Sequence, residues 1–137
     1  MQDNDIRKIL EDVKTIALVG ASDNPGRPSY GVMAYLLSQG YKVIPVSPKL
    51  AGQALLGQKA VGTLAEIAEP VDMVDVFRNA EAAYGVAQEA IAIKAKVLWL
   101  QLGVINEQAA VLAKDAGLKV VMDRCPKIEI PRLGMEK

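Results

Sequence analysis

The run Thr15-Ile16-Ala17-Leu18-Val19-Gly20-Ala21-Ser22 reads as a buried strand that stops on a glycine with two small residues beyond it. Such a turn leaves room for a phosphate, and the helix that follows offers unpaired N–H groups and the positive end of its dipole. Ser29 stands near the start of that helix, behind Pro28, and Arg27 adds a guanidinium fork suited to an anion. Gly20 on this reading lets a ligand approach the backbone closely; the bland alternative is a glycine that only permits a turn and a serine that only caps a helix. The intervening Asp23-Asn24-Pro25-Gly26 makes the turn longer and stiffer than a dinucleotide turn, and no G-x-G-x-x-G occurs.

Other strand ends carry further chemistry. After the second strand comes Ser47-Pro48-Lys49, a hydroxyl and a cation, where an NAD site would place an acidic residue on the ribose. That pattern favours a nucleotide with an additional phosphate, NADP or coenzyme A among them, although a lone lysine is ordinarily a solvated one. Phe77-Arg78 ends the third strand; Arg78 either lines a cleft beside the ring or pairs with Asp75 or Glu81. Gly103 follows the fourth strand. Asp123-Arg124-Cys125-Pro126 follows the fifth, where Cys125 is either a thiol facing the cleft or a small buried hydrophobe. Asp72 and Asp75 lie three apart on one strand, so they point to opposite faces and form no carboxylate pair.

These residues need a frame that brings strand ends together, and the hydrophobic pattern supplies one. A lead-in helix is expected over residues 5–13, and strands over 15–20, 41–46, 71–77, 97–102 and 119–122. Pro45 inside the second strand argues for an edge or an irregular position. Helices are expected from Ser29 to Gln39, stopped by Gly40, from an Asn79 cap to Lys94, and from an Asn106 cap to Gly117. Residues 47–63 read as loop, with a short helix near Leu64–Ile67, and the tail 123–137 as a surface segment with one helical turn. Alternation of this kind implies an α/β fold: one domain over 1–137, with a mostly parallel sheet of about five strands covered by helices on both faces. Ligands of such sheets bind beyond the carboxyl ends of the strands.

Composition narrows the function. Of the 137 residues, 51% are hydrophobic, enough for a proper core without disulfides or metal. Sixteen basic and sixteen acidic residues cancel, which gives no general attraction to nucleic acid or an anionic membrane. Histidine is absent, removing the commonest general base and metal ligand, and no metal site is expected. The single cysteine excludes an internal disulfide and fits a reducing compartment. The acidic N-terminus lacks an apolar signal region and no apolar run would span a bilayer, so a cytoplasmic location is expected.

Taken together, Val19-Gly20-Ala21-Ser22, Arg27-Pro28-Ser29, Val46-Ser47-Pro48-Lys49, the run Val71 to Arg78, Trp99-Leu100-Gln101-Leu102-Gly103 and Asp123-Arg124-Cys125-Pro126 resemble the small single-domain coenzyme A-binding proteins of the YccU type. These are similar to the N-terminal domain of the succinyl-CoA synthetase α-subunit. The resemblance implies a Rossmann-like domain that holds coenzyme A across the carboxyl edge of its sheet. It places Gly20, Ala21, Ser22, Arg27, Ser29, Ser47, Lys49, Phe77, Arg78 and Gly103 at the cofactor. The synthetase's phosphorylated histidine has no counterpart among these residues, and no counterpart of its second domain is expected, so thioester synthesis by that route is not expected of this chain alone. The leading expectation is a binding module for coenzyme A or a short acyl-CoA, without catalysis of its own and open to a protein partner. The alternative is an NADP-linked or acyl-CoA-handling enzyme using Cys125. A third reading has Cys125 forming a mixed disulfide with the ligand thiol.

Overall fold

The computed structural model describes all of residues 1–137. Helix α1 (Asp3–Asp12) leads into β1 (Thr15–Val19), followed by α2 (Pro28–Ser38) and β2 (Lys42–Val46). A hairpin of two short strands, β3 (Ala54–Leu55) and β4 (Gln58–Lys59), interrupts the segment expected to be loop. Then come β5 (Met73–Val76), α3 (Ala83–Ala92), β6 (Val97–Leu100), α4 (Glu107–Asp115), β7 (Lys119–Val121) and α5 (Pro126–Arg132).

The five long strands form one parallel sheet in the order β2-β1-β5-β6-β7. The chain runs from β1 to β2 on one side, then crosses back over β1 to β5 on the other. A reversal of strand order therefore falls between β1 and β5, where an open parallel sheet splays its loops apart and leaves a crevice. Pro45 sits in β2, an edge strand, where its missing N–H breaks no ladder.

Two apolar clusters cover the sheet. On one face Ile6, Ile9 and Leu10 of α1, Met33 and Leu36 of α2 and Ile130 of α5 pack on Ile16, Leu18, Met73 and Trp99. On the other, Ala83, Val86, Ala87 and Ala90 of α3 and Ala109, Ala110 and Ala113 of α4 pack on Ala17, Val74, Leu98 and Leu100. Alanine dominates that second face because its small side chain lets both helices lie close to the sheet and to each other.

Local signals hold where they are chemically simple. Asn106 caps α4 by accepting from the Ala109 N–H at 2.9 Å. Asn79 instead caps a turn, accepting from the Ala82 N–H at 2.8 Å, and α3 begins one turn later at Ala83. The tail is also more than a surface strip. Its helix α5 buries Ile130 and is clamped by Glu129, which accepts from Arg124 at 2.8 Å and from Arg132 at 2.9 Å. Arg132 reaches on to Asp3 at 2.9 Å, tying α5 to α1 and holding the Asp3 carboxyl below its ordinary range. No helix is long and apolar enough to cross a membrane.

Candidate functional site

The β1 turn is held by its neighbours. Gly20 has φ +89°, and a Cβ there would lie 2.4 Å from the Phe77 carbonyl oxygen. Its N–H donates to the Val46 carbonyl at 3.1 Å, and the Ala21 N–H shares that carbonyl at 3.3 Å. Gly20 is thus required by the close approach of the β1 and β5 ends. The N–H groups of Gly20 and Ala21 are not available to an anion, which the sequence alone did not reveal.

The donors that remain lie just beyond. Ser22 accepts from the Asn24 N–H at 3.1 Å, and Asn24 accepts from the Gly26 N–H at 2.9 Å, so the loop is self-braced. The backbone N–H groups of Ser22, Asp23 and Ser29 make no bond within the protein, and the Ser29 hydroxyl has no protein partner. The N-cap of α2 is Arg27, with Pro28 in the first turn, so Ser29 is not the cap; its side chain faces the cleft instead.

A cleft of about 610 Å³ opens at the reversal between β1 and β5, in the size range of small-molecule sites. Gly20, Ala21, Ser22, Arg27, Ser29, Lys49, Phe77, Arg78 and Cys125, all singled out in the sequence, line it. A second lobe of about 420 Å³ shares Gly20, Lys49 and Arg78 and adds Ser47, beside Val46, Leu64 and Val86. Gly103 lies outside both lobes, since its N–H donates to the Asp123 carboxylate at 2.8 Å and bridges the β6 and β7 turns.

The electrostatics of the cleft are one-sided. Arg27, Lys49 and Arg78 are exposed, and none forms an ion pair; Arg78 pairs with neither Asp75 nor Glu81. No Asp or Glu lines the main cleft, and Glu89 is the one acidic residue on the second lobe. In a chain of zero net charge, three unneutralised cations in one crevice make a local anion site.

The strand order arranges the lining laterally. Lys49 follows β2, Arg27 follows β1 and Arg78 follows β5, so the cationic half spans those three strands. Leu102 and Val104 follow β6 and Cys125 follows β7, forming an apolar half with Phe77. Cys125 is buried at the N-cap of α5, and burial raises its thiol above the ordinary value, with a further push from nearby Asp75. That favours a neutral thiol over a thiolate nucleophile. No group of three His, Cys, Asp or Glu side chains is placed to hold a metal ion.

One pair escaped the sequence reading. Asp75 is fully buried in β5 and accepts from Gln101 Nε2 at 2.8 Å, while its Oδ2 has no partner. Desolvation pushes its carboxyl up to about 7, against the pull of the Gln101 hydrogen bond. Asp72 is the opposite case. Burial works to raise it, but the N–H groups of Thr15 and Lys14 at 3.0 and 2.9 Å, with Lys96 beside it, bring it below the ordinary range. The signal for Asp75 was a carboxylate in the middle of a strand buried on both faces. Its partner stands 26 residues away, joined to it only by the β5–β6 pairing.

Comparison with known proteins agrees with this architecture. Residues 14–131 match the CoA binding domain family. The uncharacterized protein YneT of Bacillus subtilis (strain 168) is 44% identical over 124 residues, covering 90% of each chain. The ID.343 protein of Thermus thermophilus is 41% identical with a TM-score of 0.92, covering 97% of this chain and 99% of that one. A hypothetical protein from Pyrococcus horikoshii OT3 is also 41% identical, with a TM-score of 0.92 over 97% of this chain and 92% of its own. A dinucleotide-forming acetyl-coenzyme A synthetase of Ca. Korarchaeum cryptofilum shares the fold at TM-score 0.70 and 22% identity, over 80% of this chain and 26% of that chain. A family match across most of the chain, on a sheet that gathers its strand-end residues into one cationic cleft, makes this chain a member of the CoA-binding domain family.

Proposed function

We propose that this protein is a binding module for coenzyme A or a short acyl-CoA and does no chemistry on it. The observation that carries the reading is the cleft at the β1–β5 reversal, with three unpaired cations and no acidic side chain in its main lobe. Arg27, with the free N–H groups of Ser22, Asp23 and Ser29, receives the pyrophosphate. Lys49 and Arg78 stand where the two lobes join and serve the 3′-phosphate; the lobe lined by Val46, Leu64 and Val86 takes the adenine. The pantetheine arm then runs over β5 towards β6, and its sulfur ends in the apolar half beside Leu102, Val104 and Cys125. A thiol held neutral at Cys125 supports binding over catalysis. The reading leaves a protein partner open, and a cytoplasmic setting suits both the free thiol and the ligand.

The reading is tested by thermal unfolding with CoA, acetyl-CoA, dephospho-CoA, NADP and NAD in parallel. Ligand that binds only the folded state raises the midpoint by an amount that grows with the logarithm of its concentration over Kd. CoA and acetyl-CoA should stabilise most, dephospho-CoA less, NAD not at all. Stabilisation by NADP alone would replace this reading with the reductase alternative.

A further inference from the structure

Gln101 is the polar side chain that the apolar half of the cleft contains. Its Nε2 donates inward to Asp75 Oδ1 at 2.8 Å, and its Oε1, with no protein partner and not sealed from solvent, is left to the cleft. We propose that Gln101 contacts the sulfur substituent of the bound coenzyme and that Asp75, by holding or releasing a proton, sets which end of the Gln101 amide is presented. The inference rests on the coenzyme A reading above and deepens it: it assigns the residue that distinguishes a free thiol from an acyl thioester.

The chemistry follows from what each group is able to donate. An ionised Asp75 only accepts, so Gln101 must turn Nε2 towards it and show Oε1 to the cleft. That carbonyl accepts from the S–H of free coenzyme A and opposes the carbonyl oxygen of a thioester. A protonated Asp75 donates its O–H to Oε1, which turns the NH₂ outward as a donor for the thioester carbonyl. The buried, unpartnered Oδ2 makes both states of Asp75 accessible, because nothing in the site stabilises the anion beyond one hydrogen bond.

The surroundings leave Asp75 free to act this way. Leu18 and Trp99 flank it on β1 and β6. Helix α2 carries no charged residue, and α1 turns Ile6, Ile9 and Leu10 to the core. At the N-cap of α5 the titratable neighbour is the Cys125 thiol, held neutral by burial, and the first turn of α5 carries the exposed Lys127, which lies against Gly31 of α2. Arg124 and Glu129 on that side are engaged with each other.

Calorimetric titration of CoA and acetyl-CoA at about pH 6 and about pH 8 tests the assignment, with Asp75→Asn and Gln101→Met beside the wild type. The ratio of acetyl-CoA to CoA affinity should fall by about tenfold from the lower to the higher pH in the wild type, the worth of one hydrogen bond. In both variants it should stay flat. The 3′-phosphate also titrates near pH 6, but it is common to both ligands and cancels in the ratio. A second readout needs no ligand: the Gln101 side-chain amide resonances should move with pH at the same midpoint, and not in Asp75→Asn. A flat ratio in the wild type with both ligands bound, a pH-dependent ratio surviving in Asp75→Asn, or amide resonances that do not move would overturn the inference. Failure of both ligands to bind at either pH would overturn the coenzyme A reading and this inference with it.

Discussion

Gly20 and Phe77 lock the ends of β1 and β5 together: no side chain fits at position 20, because a Cβ would meet the Phe77 carbonyl oxygen at 2.4 Å. The Phe77 N–H returns the contact by donating to the Val19 carbonyl at 2.8 Å. The cleft opens at this crevice, and its cationic and apolar halves meet at the β5 end, at Arg78 and Phe77, so the geometry of the site depends on this contact.

Gly20→Ala should therefore destabilise the fold by about 3 kcal/mol, from the left-handed backbone and the clash with a backbone atom together. Chemical denaturation measures it. A loss below about 0.5 kcal/mol would mean that the two strand ends separate easily.

Asp75 makes stability depend on pH in an unusual direction. Its carboxyl is raised to about 7 in the folded state, so between about pH 4 and that value the native protein binds more protons than the unfolded chain. Its contribution is fully present below about pH 4 and is lost as the pH rises through about 7. Relative to the wild type, Asp75→Asn should gain stability across this window, by up to about 4 kcal/mol at the alkaline end. Urea unfolding of both proteins at several pH values gives the difference. A constant difference would show that Asp75 does not titrate in the window.

Much of this fold was legible because its signals are local. Asn106, Gly40 and the strand runs act through neighbours a few residues away, and Pro45 narrowed β2 to an edge or an irregular position, of which the sheet order shows the edge. The β3–β4 hairpin was not legible, since two-residue strands are too short to show a period. Helix α5 hid behind Pro131, which reads as a breaker, and it is held by the Glu129 clamp and by Ile130 in the core, contacts set by tertiary packing. For the site, residue types at strand ends identified nearly all the lining. What sequence could not show was which N–H groups were already bonded and which strands were neighbours. The engaged Gly20 and Ala21 donors and the Asp75–Gln101 pair both follow from strand order.

Cys125 should react slowly. Buried and held above the ordinary thiol value, it should be alkylated at neutral pH at least about tenfold more slowly than a free cysteine thiol. Iodoacetamide labelling followed by intact mass measures the rate. Rapid labelling would favour the enzymatic alternative.

Lys49 is assigned to the 3′-phosphate. Lys49→Ala should weaken CoA by about tenfold while changing dephospho-CoA little, the loss expected of one charge-assisted hydrogen bond. Equal weakening of both ligands would move Lys49 to the pyrophosphate.

The most direct test of the central claim is calorimetric titration of CoA into the wild type and into the combined variant Arg27→Ala, Lys49→Ala, Arg78→Ala. These side chains are exposed and make no ion pair, so the variant should fold with little change in stability. The account predicts saturable one-to-one binding in the wild type and a loss of at least about a hundredfold in the variant. Equal affinity in both proteins, or no binding in the wild type, would contradict it.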